Sequence, residues 1–407
     1  MTDQDWIVSV DDHAIEPPNL WVDRVPARDR DRAPQPRTGD DGTLYWTYES
    51  ARVPIARTTF QAAMGVEEAS LGYISSYDEL EVGFYDSTER TKAMDRDNVL
   101  AALCFPLFPR YCGQTFHEAE DKDFALVCLK AYNDWMIDEW SGAVPGRFIP
   151  LVIVPLWDPQ LAAAEVERCA AKGAKAIAFS ENPYKLGLPS LHDAGNYWDP
   201  LLAAANETKM PLCVHFGSSS SMPKTSPDAP LLVTGTLAPT NLISALVDWL
   251  FSGKLIDGDI SPFPDLKICL SEGGIGWIPY ILERCDLQVK VRPYLARGDW
   301  QVDAATGAKA TITATGGRRF GVPPSEVFRR HMYGCFIEEE FGARQIHEIG
   351  VDNVMLETDY PHGDSSYPHS LENAQRRLAY LSADDRAKVM RGNACRVFDF
   401  EPAAPPY

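Results

Sequence analysis

The chain repeats one pattern: a short run of apolar or β-branched residues, a turn, then a stretch whose apolar positions recur at helical spacing. The runs are Trp6–Val10, Val99–Pro106, Phe148–Pro155, Ala174–Phe179, Pro211–Phe216, Leu266–Leu270, Met332–Ile337 and Asn353–Leu356, eight in all. Most are apolar throughout instead of alternating, as strands covered on both faces should be. Eight such strands separated by helices predict an α/β fold of the closed (β/α)8, or TIM-barrel, kind.

The intervening segments carry ordinary helix signals. Asp158 before Pro159 opens the AAAEVERCAAKG run and Gly173 closes it, while Thr240 is expected to cap NLISALVDWLFSG. WIPYILERCDLQ, RQIHEIG, ENAQRRLAYL and ADDRAKVMRGNACRVF supply further helices. Three stretches, 17–97, 218–236 and 287–324, are too long for barrel connections. One domain spanning 1–407 is expected, with these insertions capping the barrel mouth and a hairpin at Asp40-Asp41-Gly42. Trp46, Tyr48, Phe60, Met64, Tyr73, Phe84 and Tyr85 would either face a bulky apolar substrate or pack the insertion itself.

Barrel enzymes place their working groups just past the carboxyl ends of the strands. The first strand ends Asp11-Asp12-His13, and alternation puts Asp11 and His13 into the mouth with Asp12 turned away. Later strand ends contribute Glu181, His215, Glu272 and Asp359. Four carboxylates and two imidazoles converging on one mouth hold too much negative charge to be buried without cations, so two divalent metal ions are expected. Oxygen-rich ligands without thiolate favour iron or manganese and leave zinc open. Glu181 is the candidate bridge between the ions, although it could equally cap the turn at Asn182-Pro183. Glu272 could likewise serve the Gly273-Gly274 backbone. His362 or Tyr360 would relay protons, and Glu16 would orient His13 or join the ligands. His117, His192, His331 and His347 lie away from strand ends and read as surface or core residues.

Composition narrows the setting. With 407 residues and 45% hydrophobic content the chain can bury a large core, and 58 acidic against 38 basic residues give a formal charge of −20. That balance argues against nucleic-acid or anionic-membrane partners. The start lacks a secretory pattern and no run of about 18 apolar residues occurs, so a cytoplasmic protein is expected. The nine cysteines show no zinc-type pairing and read as reduced and structural. No P-loop, dinucleotide fingerprint or Gly-x-Ser-x-Gly elbow is present.

The stretches VDDHAIEPPNLW, MPLCVHFG, LSEGGIGWIPYILERCD and LETDYPHGDSSYPHS resemble the amidohydrolase-related family of metal-dependent barrels, and GNACRVF fits its ending. The resemblance implies metal binding by Asp11, His13, His215 and Asp359. The family holds hydrolases, hydratases and non-oxidative decarboxylases of aromatic acids. Asp-x-His in place of His-x-His, and Glu272 where many members carry histidine, make the chain look closer to a branch of non-heme di-iron monooxygenases, typified by the diterpenoid hydroxylase of platensimycin and platencin biosynthesis. That branch implies dioxygen, an electron donor and a coenzyme A ester, whose phosphates would meet Lys290, Arg292 and Arg297. A homo-oligomer is compatible with it. The alternative expectation is a metal-dependent hydrolase or decarboxylase.

Overall fold

The computed structural model describes residues 6–60, 72–256, 260–292, 301–302, 309–310 and 321–406. All eight apolar runs form strands: β1 Ile7–Ala14, β2 Val99–Pro106, β3 in two segments Phe148–Ile149 and Leu151–Val152, β4 Ala176–Ser180, β5 Leu212–His215, β6 Ile268–Ser271, β7 Met332–Phe336 and β8 Val354–Leu356. Every residue in them is buried, which is why they read as continuous apolar runs.

β1 pairs in parallel with β2, and β2 with the first segment of β3. The second segment of β3 begins the parallel series β3-β4-β5-β6-β7-β8. The break falls at Pro150, which has no N–H to donate; its carbonyl instead accepts from Lys175 N at 3.0 Å and Ala176 N at 3.2 Å. The barrel closes where β1 meets the end of β8: Asp359 N donates to Asp11 O and His13 N to Tyr360 O, both at 2.8 Å. Closure therefore joins the two chain segments richest in candidate ligands.

Helix Pro159–Ala171 begins as expected, with the Asp158 carboxylate accepting from Gln160 N and Leu161 N. At Thr240 the expectation fails. Pro239 takes the capping position, and Thr240 is the first helical residue, its hydroxyl donating to Leu237 O at 2.6 Å. Leu231–Phe251 is the one stretch among the described residues long and apolar enough, by composition, to cross a membrane. It divides into two helices, Leu231–Leu237 and Thr240–Phe251. The second buries Leu242, Leu246, Trp249 and Leu250, with Trp249 facing Phe179 of β4. It is a barrel helix that covers the sheet.

The segment after β1 contains an antiparallel meander, Gln35–Thr38, Leu44–Tyr48 and Ala51–Pro54, whose first turn uses Gly42 at φ 78°. Its aromatics do not form a substrate surface. Trp46 packs on Trp21 and Phe108, Tyr48 on Phe116, and Phe84 on Tyr360, all of them buried in the core, because a meander laid on a barrel has to cover its own apolar face. Tyr85 packs edge-on against Tyr77, and Tyr73 is exposed. Met64 and the side chain of Phe60 lie outside the described residues, as does Arg297. The cysteines are free thiols, eight of them buried.

Candidate metal centre

β1 delivers Asp11 and His13, β5 ends on His215, and the turn after β8 presents Asp359 and His362. Ligand-capable atoms of Asp11, His13 and His215 lie within 4.8 Å of one another, and so do those of His13, Asp359 and His362. His13 Nε2 stands 3.0 Å from Asp359 Oδ1 and 3.6 Å from Asp11 Oδ1, and His215 Nε2 stands 3.5 Å from Asp11 Oδ2 and 2.9 Å from Glu272 Oε2. None of the Asp11–histidine or His13–Asp359 approaches has hydrogen-bond geometry. Both oxygens of Asp11, both of Asp359, and Nε2 of His13 and of His215 are buried without a partner. So many orphaned donor and acceptor atoms facing one point would be costly in an apolar interior, and a divalent cation would satisfy them together. These residues fit a metal.

The protonation pattern agrees. Burial, with the neighbouring histidines, holds His13 far below its ordinary value, and burial takes His215 down to about 3, so both rings are neutral and offer lone pairs. Burial, then Glu357 and Asp359, pushes Asp11 well up, and burial raises Asp359 to about 7. Without a cation this cluster holds protons in its place.

Each ligand is held from behind. Phe216 O lies 2.6 Å from His215 Nδ1, which leaves Nε2 for the mouth. Asp12 points away from the mouth, as alternation predicts, and accepts from Ser9 Oγ and Thr358 Oγ1 at the β1–β8 seam. Arg90 donates to His13 O at 2.6 Å and Gly83 O at 2.7 Å, with Asp12 3.8 Å away. Glu272 and Asp359 both adopt left-handed backbone conformations, φ 57° and 54°, which turn their side chains into the mouth at the strand ends. Glu272 joins Asp359 and the exposed Asp364 in a third carboxylate group.

Several candidates sit apart from these groups. Glu181 is absent from all three groups; its Oε1 accepts from Ser219 Oγ at 2.5 Å and Asn241 Nδ2 at 3.0 Å, and these donors draw the side chain toward the β5 loop. Tyr360 does not reach the mouth, because its hydroxyl lies 3.4 Å from Glu81 Oε2 and its ring packs under Arg90. Glu16 does not touch His13; it accepts from Leu107 N and Phe108 N and anchors the loop after β2. The Gly273–Gly276 turn is served by Glu339, which accepts from Ile275 N and Gly276 N, while Glu357 receives Glu272 N. Outside the site, His117, His192 and His331 have local partners, Leu186 O, Asp248 and Leu266 O.

Sequence reasoning missed Tyr111, whose ring stacks on His215 with centroids 4.1 Å apart. It follows β2 in an irregular turn, where no periodicity marks it. Gly217 makes room: a Cβ there would come within 3.0 Å of the Tyr111 ring. Arg90 was missed as well, since an arginine in a helix reads as solvated until its burial is known.

A family profile described as amidohydrolase matches residues 85–400. The gamma-resorcylate decarboxylase of Rhodococcus jostii is 25% identical over 353 residues, covering 82% of this chain and 94% of that enzyme. The gamma-resorcylate decarboxylase of a Polaromonas species is 25% identical over 292 residues, covering 68% of this chain and 78% of that enzyme. Among solved structures, an amidohydrolase from Mycobacterium avium superposes with a TM-score of 0.70 at 19% identity, covering 97% of this chain and 99% of that one. The 5-carboxyvanillate decarboxylase of Sphingomonas paucimobilis superposes with a TM-score of 0.58 at 20% identity, with the same coverage. These findings overturn the expected di-iron monooxygenase branch: the curated relatives are decarboxylases, and nothing supports dioxygen, an electron donor or a coenzyme A ester. Lys290 and Arg292 are exposed at the end of an outer helix. The oxygenase expectation rested on Asp-x-His, on Glu272 in place of histidine and on a shell crowded with carboxylates, of which Glu181 has one oxygen engaged by Ser219 and Asn241.

Proposed function

We propose, from the premise that this chain belongs to the amidohydrolase family, that it is a metal-dependent non-oxidative decarboxylase of an aromatic hydroxy-acid. The observation that carries the reading is the convergence of Asp11, His13, His215 and Asp359, with their orphaned buried atoms, in a chain whose curated relatives release carbon dioxide from gamma-resorcylate.

A single divalent cation, zinc or manganese, is proposed for these four residues. His13 is common to both histidine-containing groups and its Nε2 faces both Asp11 and Asp359, which supports one shared position. No electron transfer is needed, and nitrogen and oxygen donors without thiolate suit either ion. When bound, the ion supplies the positive charge that fixes an anionic substrate against the acidic mouth.

The chain's own residues do the rest. Decarboxylation puts a proton on the ring carbon that bears the carboxylate; the electron pair of the breaking carbon–carbon bond returns to the ring, and carbon dioxide leaves. His362 is the proposed proton carrier. Its Nδ1 lies 3.1 Å from Asp359 Oδ1 and its ring lies over His13, which fixes its plane at the edge of the site. Tyr111 and Phe105 wall His215 and keep the chamber dry on that side.

The test is direct. Zinc- or manganese-loaded protein is incubated with gamma-resorcylate, and carbon dioxide release is followed with and without a chelator. Chelator-sensitive release is expected; loss of substrate without carbon dioxide, or no turnover of hydroxylated benzoates at all, would overturn the reading.

A further inference from the structure

Glu181 follows the last residue of β4 yet lies outside the ligand groups of the metal centre, and the surrounding chain is built to hold half of it. The side chain is 2% exposed. Oε1 takes the Ser219 hydroxyl at 2.5 Å, Ser219 N at 3.4 Å and Asn241 Nδ2 at 3.0 Å, donors from the loop after β5 and from helix Thr240–Phe251. Glu181 N is taken by Ser218 Oγ at 2.8 Å, and that hydroxyl donates to His215 O at 2.6 Å. The backbone of Glu181 is thus tied through one serine to the strand end that carries His215. Oε2 is buried and has no partner.

A carboxylate with one oxygen fixed by three donors and the other buried and unsatisfied is a preorganised acceptor awaiting a donor. It borders the reaction chamber: Ser218 ties its backbone to the strand end that carries His215, and the His215 ring stacks on Tyr111. With the metal ligands already supplied by other strands, the free oxygen is left to the substrate.

We propose that Glu181 Oε2 accepts a hydrogen bond from a ring hydroxyl of the substrate and so selects hydroxylated over unsubstituted aromatic acids. This rests on the decarboxylase reading for the substrate class, but its test does not require turnover. An acceptor that leaves a buried oxygen unpaired when the hydroxyl is missing discriminates more strongly than an apolar pocket does.

The experiment compares 2,6-dihydroxybenzoate with benzoate by calorimetric titration of zinc-loaded protein. The native chain should bind the dihydroxy acid about 10- to 100-fold more tightly, the range for a hydrogen bond to a charged group. Glu181→Gln should lower that ratio about tenfold or more while keeping its zinc. Ser219→Ala, which removes one donor from Oε1 and leaves Oε2 in place, should lower the ratio by a smaller factor, and it reads the same contact if the glutamine variant fails to fold. Loss of zinc in Glu181→Gln would make Glu181 a ligand and overturn the proposal. So would an unchanged ratio in both variants, or a native chain with no hydroxyl preference. Hydroxyl-selective binding without carbon dioxide release would leave this inference standing and remove the decarboxylase reading.

Discussion

His362 lies face to face on His13, ring centroids 3.7 Å apart and planes 26° from parallel, with its Nδ1 on Asp359. Burial alone would pull His362 down, but the adjacent Asp359 carboxylate, helped by Asp364, outweighs it and leaves the ring raised. One ring of the stack is therefore neutral and turned to the metal position, and the other keeps a proton. His362→Asn should lower the rate of carbon dioxide release about 10²- to 10⁴-fold, the range for removing a general acid. Metal content, measured on the same preparation by elemental analysis, should stay within twofold. A parallel loss of metal and activity would make His362 a ligand instead.

His215 offers a different outcome. Its Nε2 has no protein partner, so substitution removes a metal donor, and the one hydrogen bond lost with the ring is that between Nδ1 and Phe216 O. His215→Ala should weaken zinc affinity about 100-fold or more, at the upper end of what supporting residues cost when lost. Competition with a chromogenic chelator reads this directly. Unaltered affinity in the variant would refute the proposed centre.

The barrel was legible because its strands are buried on both faces and read as short apolar runs that recur eight times between turns and helical stretches. The split at Pro150 was readable in principle, since proline cannot donate to a ladder. The site was half legible. Asp11, His13, His215 and Asp359 are polar residues closing apolar strands, and such positions carry their own signal. Glu181 and Glu272 show the same signal, yet their partners, Ser219, Asn241 and Glu357, come from other strands and loops that only the fold brings near. Counting carboxylates in the sequence treated each as ionised and bound to metal, and that crowding pointed toward oxygen chemistry, which the decarboxylase relatives contradict.

Burial also sets the pH dependence of the metal-free chain. Asp12 is raised to about 6 by burial, against Arg90; Asp97 to about 6 by burial, against its bonds from Ser370; and Glu16 to about 7 by burial, against its bonds from Phe108 and Leu107. Each folded value lies above the ordinary carboxylate value, so the folded chain binds protons more tightly than the unfolded one. Their stabilising contribution is complete below about pH 4 and is lost as pH rises through about 6 to 7. Apo protein should therefore melt at a lower temperature at pH 8 than at pH 5.5, the reverse of a chain held by ionised salt bridges. Zinc should narrow the difference by neutralising Asp11 and Asp359 in place of protons. Calorimetric scans of both forms decide; a melting temperature that rises with pH in the apo form would contradict this account.

Arg90 tests how the site is tied to the barrel. The side chain is fully buried, donates to His13 O and Gly83 O, lies over the Tyr360 ring at 4.6 Å, and stands 3.8 Å from Asp12. Lysine keeps the charge but cannot span both carbonyls with a planar fork. Arg90→Lys should cost about 2 to 4 kcal/mol of stability, one or two charge-assisted bonds together with the group left unpaired. A shift of the urea midpoint with an unchanged slope would report this. Because the lost bond ends on the His13 carbonyl, zinc affinity should fall as well, by about 10-fold, as for other residues that orient a ligand from behind. Arg90→Met separates the two effects: it restores apolar packing over Tyr360 but supplies no donor, so it should recover part of the stability and none of the zinc affinity. Recovery of both would reduce Arg90 to packing, and recovery of neither would place its contribution in the Asp12 charge pair.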